Sequence, residues 1–231
     1  VRTRAGFLVS VLFTGLFCGG VVAAAEKSFS VSLELLPSPA PSNSSLSRLV
    51  SDEAGQIYLS WVSEENDSAQ LAFSKLTDSG WTTPSVISEG ADWFINWADF
   101  PVLSVNNGNM AAHWLRMSAS GTYDYDIEAS FYDDNNNSWS EARVIHTDGV
   151  SAEHGFVSML PISKDGTEHT LITWLDGRNT KVGDDYGAMT LRAGIFDSSG
   201  KTLSEWEVDQ RVCDCCQTSS AMTAKGPLVV Y

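Results

Sequence analysis

Three stretches of this chain read alike: "GQIYLSWV" at Gly55–Val62, "GNMAAHWL" at Gly108–Leu115 and "EHTLITWL" at Glu168–Leu175. Each follows a turn residue, alternates apolar and polar positions, and closes on a tryptophan, Trp61, Trp114 or Trp174. A second run follows each one: "LAFSKL" from Leu71, "IEASFY" from Ile127, "LRAGIF" from Leu191. A polar turn comes next ("TDSG", "DDNNNS", "DSSGKTLSE"), then Trp81, Trp139 or Trp206, then a short run ("PSVI", "EARVI", "DQRV"). Alternation with period two marks half-buried strands, and helical periodicity is nearly absent.

One unit is therefore strand, turn, tryptophan-ending strand, loop, strand, Asp/Gly turn, tryptophan, strand. Four strands repeating every roughly 50–65 residues predict an all-β fold, a β-propeller of four-stranded blades. Each blade is too small to bury both faces alone, so tryptophans and aliphatics are expected to pack between neighbours. A sandwich shares the short strands and regular turns. The expected blades are 46–90, 97–146 and 154–213, with a fourth beginning at 214–231 in "QTSSAMTAKGPLVVY", where Lys225-Gly226 is the turn and Tyr231 takes the tryptophan position. About three and a half blades do not close a ring, so the expectation is a piece of a longer propeller.

Ahead of the repeats, Arg2 and Arg4, an apolar run from Phe7 to Cys18 and Ala23-Ala24-Ala25 follow the three-part pattern of a signal peptide, residues 1–25. The run is short for a membrane span of about 20 residues. The expectation is an exported protein, bacterial periplasmic or extracellular, with no membrane span after cleavage. Residues 26–45, with "LPSPAPSNSS", form a Pro/Ser-rich linker. The chain carries a formal net charge of −15 over 231 residues. Such a surface repels nucleic acid and anionic membranes, and nothing in it fixes an oligomeric state. Cys18 leaves with the signal peptide, which puts every remaining cysteine (Cys213, Cys215, Cys216) into one cluster in an oxidising compartment.

The repeated Asp/Gly turns before tryptophan, Asp78-Ser79-Gly80-Trp81, Asp134 to Trp139 and Asp197-Ser198-Ser199-Gly200 leading to Trp206, resemble degenerate Asp boxes. On these the chain, from about Ser47 to Tyr231, resembles the sialidase (neuraminidase) superfamily, whose BNR/Asp-box propeller is six-bladed when complete. In that turn an aspartate caps local N–H groups, glycine supplies positive φ, and the tryptophan packs beneath. The resemblance implies a glycan or glycoconjugate partner and exo-sialidase-like hydrolysis: a tyrosine nucleophile activated by a glutamate, an aspartate acid/base, and three arginines on a substrate carboxylate. The nearest match to the early arginine is Arg48-Leu49-Val50, which lacks the family's aromatic and proline. The tyrosine/glutamate pair and the other arginines are expected beyond Tyr231.

In such a ring, ligands bind where loops lead into the innermost strands. These loops are "ADWFINWADFP" (Ala91–Pro101), "TDGVSAEHGF" (Thr147–Phe156) and "CDCCQTS" (Cys213–Ser219). They gather the unusual residues of the chain. The catalytic candidates are Asp99, Glu153, His154 and Asp214; the substrate-binding candidates are Arg48, Trp93, Trp97 and Arg178. Arg178 equally suits a turn salt bridge with Asp176, and His113 is expected to be structural. The cysteines admit three readings: a Cys213–Cys216 disulfide with Cys215 left over, buried packing, or, with His154, ligands for a soft metal such as zinc or copper(I). Gly183–Gly187 ("GDDYG") offers neighbouring acids to calcium. No other cofactor is implied. Beside the hydrolase stand two alternatives: a non-catalytic glycan- or protein-binding propeller, and a metal or redox propeller built on the cysteines.

Overall fold

The computed structural model describes residues 30–106, 108–181 and 187–231. The segment read as a signal peptide and all of Gly183–Gly187 except its last residue lie outside them. The chain divides into Val1–Leu35 and Leu36–Tyr231; the described part of the first has no regular structure, and the sheets belong to the second.

The fold is all-β, in antiparallel sheets whose spatial order follows the chain. The first sheet holds β1 (Ser44–Ser51), β2 (Ile57–Glu65) and β3 (Ser68–Thr77), with β4 (Gly80–Trp81) and β5 (Ser85–Gly90) both on β3. The second holds β6 (Val102–Asn106), β7 (Asn109–Met117) and β8 (Tyr125–Asp133), with β9 (Ser138–Trp139) and β10 (Arg143–Val144) on β8. The third runs β11 (His154–Lys164), β12 (Thr167–Asp176), β13 (Thr190–Asp197), β14 (Thr202–Asp209); the fourth is β15 (Ser219–Thr223) with β16 (Gly226–Val230). The first strands of successive sheets approach one another: β1 with β6, β6 with β11, β11 with β15. A short 3₁₀ turn, Arg178–Lys181, is the one helical element among the described residues, and no helix there is long and apolar enough to cross a membrane.

Alternation along β7 shows why the sheets stack. Ala112 and Trp114 face the first sheet, joining Val62, Leu71 and Phe73. Ala111 and Leu115 face the other way, joining Val157, Ile172 and Trp174 of the third. Both apolar faces of the second sheet are thus covered by its neighbours, which removes them from water. Trp61, Trp114 and Trp174 are all fully buried. Their indoles carry an N–H that needs a partner when buried. Trp114 Nε1 donates to Glu128 at 3.0 Å and Trp174 Nε1 to Asp176 at 2.7 Å.

The second set of tryptophans behaves differently. Trp81 and Trp139 are half-buried, and Trp206 is 41% exposed on β14. Capping in the turns also departs from the expected residues. In the third sheet Asp197 does accept from the Ser199 and Lys201 amides, each at 2.9 Å, with Gly200 at φ 77°. In the second, Asp133 rather than Asp134 accepts from the Asn135 amide; in the first, Thr77 rather than Asp78 accepts from the Ser79 amide. In the first two sheets the capping group sits where the strand ends, one residue before the spacing suggests. Gly200 has a second constraint, because a side chain there would run into the Phe131 ring of the second sheet.

Replacing Trp174 with alanine should destabilise the protein by about 3–5 kcal/mol, whereas Trp206→Ala should stay within about 0.5–1 kcal/mol. Urea unfolding of both variants checks this; equal effects would mean the sheets do not stack on Trp174 as described.

Candidate functional site

In an antiparallel meander the first and third strands run the same way, so both begin at one end of the sheet. That end collects the approach to β6, the starts of β8 and β11, the turn after β12 and the approach to β15. The loop before β6 is pinned by aromatic contacts. Trp93 bridges to Arg116 and stacks on Trp114 with centroids 5.3 Å apart, and Phe94 stacks on Tyr125 at 4.2 Å. Beyond them Trp97 stands 85% exposed. Of the two tryptophans considered for ligand binding, Trp93 is therefore packed and Trp97 is open.

Asp99, from the same loop, is buried against the start of β11. Its Oδ2 accepts from the Tyr125 hydroxyl at 2.8 Å and its Oδ1 from the Phe156 amide at 2.8 Å. Tyr125 Oη also lies 3.1 Å from Glu153 Oε1, so one phenol joins two carboxylates. Phe156 has φ 51°, and the register of β11 against β12 shifts between Gly155 and Ser158. The bulge turns the Phe156 amide toward Asp99. Gly155 is required by the close approach: a Cβ there would collide with the Asp99 carboxylate and come within 3.0 Å of the Tyr125 ring.

Burial pushes Asp99 up from 3.8 to about 7, against the bonds from Phe156 and Tyr125 and with Glu153 adding to the rise. Glu153 is also pushed up, by burial and then by Asp214. Burial and the two carboxylates drive the Tyr125 phenol well above its usual range. Asp99 and Glu153 line a cleft of about 410 Å3 with Trp97, Tyr123, Asp214 and Cys215. Tyr123, Glu153 and Asp214 also line an adjoining cleft of about 560 Å3, bounded by Lys181 and Arg211. Cys213 and Cys216 form a disulfide, so the four-residue loop carrying Asp214 is closed on itself and Cys215 keeps a free, exposed thiol.

The other candidates lie elsewhere. Arg48 sits over the Phe100 ring, 4.3 Å from its centroid. Arg178 clasps Asp176, with Nε to Oδ1 and Nη2 to Oδ2 both 2.7 Å, and reaches Glu205 at 3.1 Å. Those bonds, with Trp174 and His154, outweigh burial and hold Asp176 below the usual carboxylate range. His154 is fully buried behind Glu153, stacked on His146 with centroids 3.8 Å apart, among Asp126, Asp148 and Asp176. It faces this cluster, and among the described residues no contact joins it to a cysteine. His113 is buried, accepts from the Val102 amide at 3.3 Å, and is held down to about 3 by burial, a structural role. Tyr125, Tyr123, Asp126, His146 and Asp148 were not singled out in the sequence. Tyr123, Tyr125 and Asp126 were findable from the third-strand start of the second repeat, which opens at the same end as the loops that were considered.

No protein-family model matches the chain, and no curated protein matches it. Among solved structures, an endo-arabinase from Bacteroides thetaiotaomicron aligns with 80% of the chain and 74% of its own, at 12% identity and a TM-score of 0.40. An endo-1,4-beta-xylanase from the same organism aligns with 79% of the chain and 65% of its own, at 15% identity and a TM-score of 0.43. A PL25 ulvan lyase bound to -[GlcA(1-4)Rha3S]- aligns with 77% of the chain and 46% of its own, at 10% identity and a TM-score of 0.38. These neighbours act on glycans; at TM-scores under 0.5 the likeness carries no weight for activity.

The buried Asp99 makes a signed prediction. Its carboxyl titrates at about 7 when folded against 3.8 when free, so its contribution to stability is full below pH 4 and is lost as pH rises through 7. Asp99→Asn removes that dependence. The stability of the parent relative to Asp99→Asn should fall by roughly 1.4 kcal/mol per pH unit within that window. Urea unfolding across the range measures it, and a flat difference would contradict a carboxyl raised by burial at this position.

Proposed function

We propose a glycan-acting hydrolase built on a β-propeller, with Glu153 and Asp214 as its reacting carboxylates. The observation that carries the reading is that these two acids line both adjoining clefts, while Tyr125 and Asp99 brace Glu153 from behind. Support for the propeller is the succession of meander sheets whose first strands neighbour one another in turn, with tryptophans packed between sheets. The Cys213–Cys216 disulfide suits an oxidising compartment, in keeping with export.

Glu153, whose carboxyl is pushed up by burial and by Asp214, is placed as the acid that gives its proton to the glycosidic oxygen as the bond to the anomeric carbon breaks. Asp214, fixed by the disulfide-closed loop, takes a proton from the water that attacks that carbon. Exposed Trp97 and Tyr123 offer flat apolar faces to sugar rings at the rim. Three carboxylates around the clefts favour a neutral glycan over an acidic one. Sialidase-type chemistry finds less support. The tyrosine and glutamate it calls for are expected beyond Tyr231, Tyr125 is driven away from the easily ionised phenol such a nucleophile needs, and Arg48 and Arg178 have other partners.

The test is turnover of a panel of neutral and acidic oligosaccharides. Glu153→Gln and Asp214→Asn should each lower kcat by about 10²–10⁴ with binding retained, and Trp97→Ala should raise KM with kcat nearly unchanged. Turnover of Glu153→Gln at parent rates overturns the assignment. Binding without turnover in the parent makes this a glycan-binding propeller instead.

A further inference from the structure

Behind the carboxylate site, the stacked rings of His146 and His154 are held between aspartates on two sides. On one side Asp148 Oδ2 lies 2.8 Å from His146 Nδ1 and 3.4 Å from His154 Nε2. Arg178 closes this side, its Nη2 3.3 Å from Asp148 and 2.7 Å from Asp176. On the other side Asp126 Oδ1 lies 3.7 Å from His146 Nε2 and 3.6 Å from His154 Nδ1. The carbonyls of Ala152 and Tyr125 stand 3.1 and 3.3 Å from that same Nδ1. Among the described residues, Asp126 has no basic partner except the two rings.

A neutral His146 ring whose Nδ1 donates to the Asp148 carboxylate carries a bare lone pair on Nε2. That Nε2 is buried, has no hydrogen-bond partner, and points at a carboxylate oxygen. Two electron-rich atoms aimed at each other away from water repel unless a cation lies between them. His154 meets the same difficulty in either tautomer, because oxygen faces both of its nitrogens. With both rings neutral, Asp126, Asp148 and Asp176 are offset by Arg178 alone, which leaves two negative charges. Two protons would balance them only by setting imidazolium rings face to face at 3.8 Å. A single divalent ion on the Asp126 side balances them without that repulsion.

We propose that Nε2 of His146, Nδ1 of His154 and a carboxylate oxygen of Asp126 bind a divalent transition metal ion of the zinc type. The donor set of two imidazoles and one carboxylate suits zinc. Each ring's remaining N–H then points at Asp148, the outer-sphere pattern that orients metal-bound histidines. Donors at about 2.0–2.2 Å in tetrahedral array lie about 3.3–3.5 Å apart, close to the 3.7 and 3.6 Å from Asp126 Oδ1 to the two nitrogens; the rings, stacked with their planes 12° apart, must swing out of that stack for both in-plane lone pairs to meet one ion. The Asp126 side chain is a quarter exposed and gives the ion a way in. Asp126 follows Tyr125 and His154 follows Glu153, so the ion would tie β8 to the start of β11 and hold the carboxylate site from behind.

The test uses the full chain, stripped with chelator and titrated with zinc by calorimetry, with elemental analysis of the protein as purified. About one equivalent is expected. Asp126→Asn should weaken binding at least ~100-fold, His146→Gln should do likewise, and Cys215→Ser should leave it unchanged. Circular dichroism reports the folding of each variant, and cobalt in place of zinc should give ligand-field bands without thiolate charge transfer. Failure to bind zinc in either preparation, loss of binding in Cys215→Ser, or full binding in Asp126→Asn overturns the proposal. None of these readouts depends on glycan turnover, so it can fail while the hydrolase reading stands.

Discussion

The Phe156 backbone is the constraint on which the site end of this molecule depends. A bulky residue at φ 51° is unfavourable by about 1–3 kcal/mol unless its surroundings compensate. Here the compensation comes from two other loops. Asp99, arriving before β6, accepts the Phe156 amide; Thr218, arriving before β15, donates to the Phe156 carbonyl at 2.6 Å, and Gln217 to the Val157 carbonyl at 3.0 Å. One irregular residue in β11 thus collects side chains from loops about 60 residues away on either side. Remove the bulge and the amide returns to the ladder, Asp99 loses its donor, and the phenol that links Asp99 to Glu153 loses its anchor.

Charge is handled in two layers around that point. The open layer holds Glu153 and Asp214, with Lys181 and Arg211 at the far wall of the larger cleft. The closed layer holds the histidine pair, Asp126, Asp148 and Asp176, with Arg178 passing from Asp148 and Asp176 to Glu205, which also binds Arg192 at 3.0 Å. Buried acids gathered this densely are unfavourable unless each finds a cation or a donor. Arg178 therefore serves the interior, which explains why an arginine in a loop facing the site end is not free for a ligand.

The strand pattern was legible because in β2, β7 and β12 a turn residue leads into an apolar run that closes on a buried tryptophan. The turns were legible as turns but not to the residue. Whether Thr77 or Asp78, Asp133 or Asp134, caps the chain depends on where the last ladder bond falls, which spacing does not encode. The carboxylates Asp99, Glu153 and Asp214 were visible as oddities in equivalent loops. Tyr125 was not, because it looks like an ordinary aromatic opening a strand; only the parallel run of first and third strands brings it beside Asp99. Trp93 and Trp97 show the same limit in miniature. Four residues apart in one loop, they part ways because the Arg116 bridge places Trp93 on Trp114, while Trp97, between the packed Phe94 and the buried Asp99, projects outward at 85% exposure.

The cysteine cluster takes its meaning from the same geometry. A Cys213–Cys216 bond closes a very short loop, so it removes little chain entropy and is a weak staple for the fold as a whole. What it does restrict is the local path of Asp214, which no strand holds and which would otherwise swing on an exposed loop. Asp214, which lines both clefts together with Glu153, is restricted by that bond more than the sheets are. The free Cys215 follows from the same arrangement: in C-D-C-C, a bond between the outer cysteines leaves the inner one over, and the wall of the cleft is where it comes to stand.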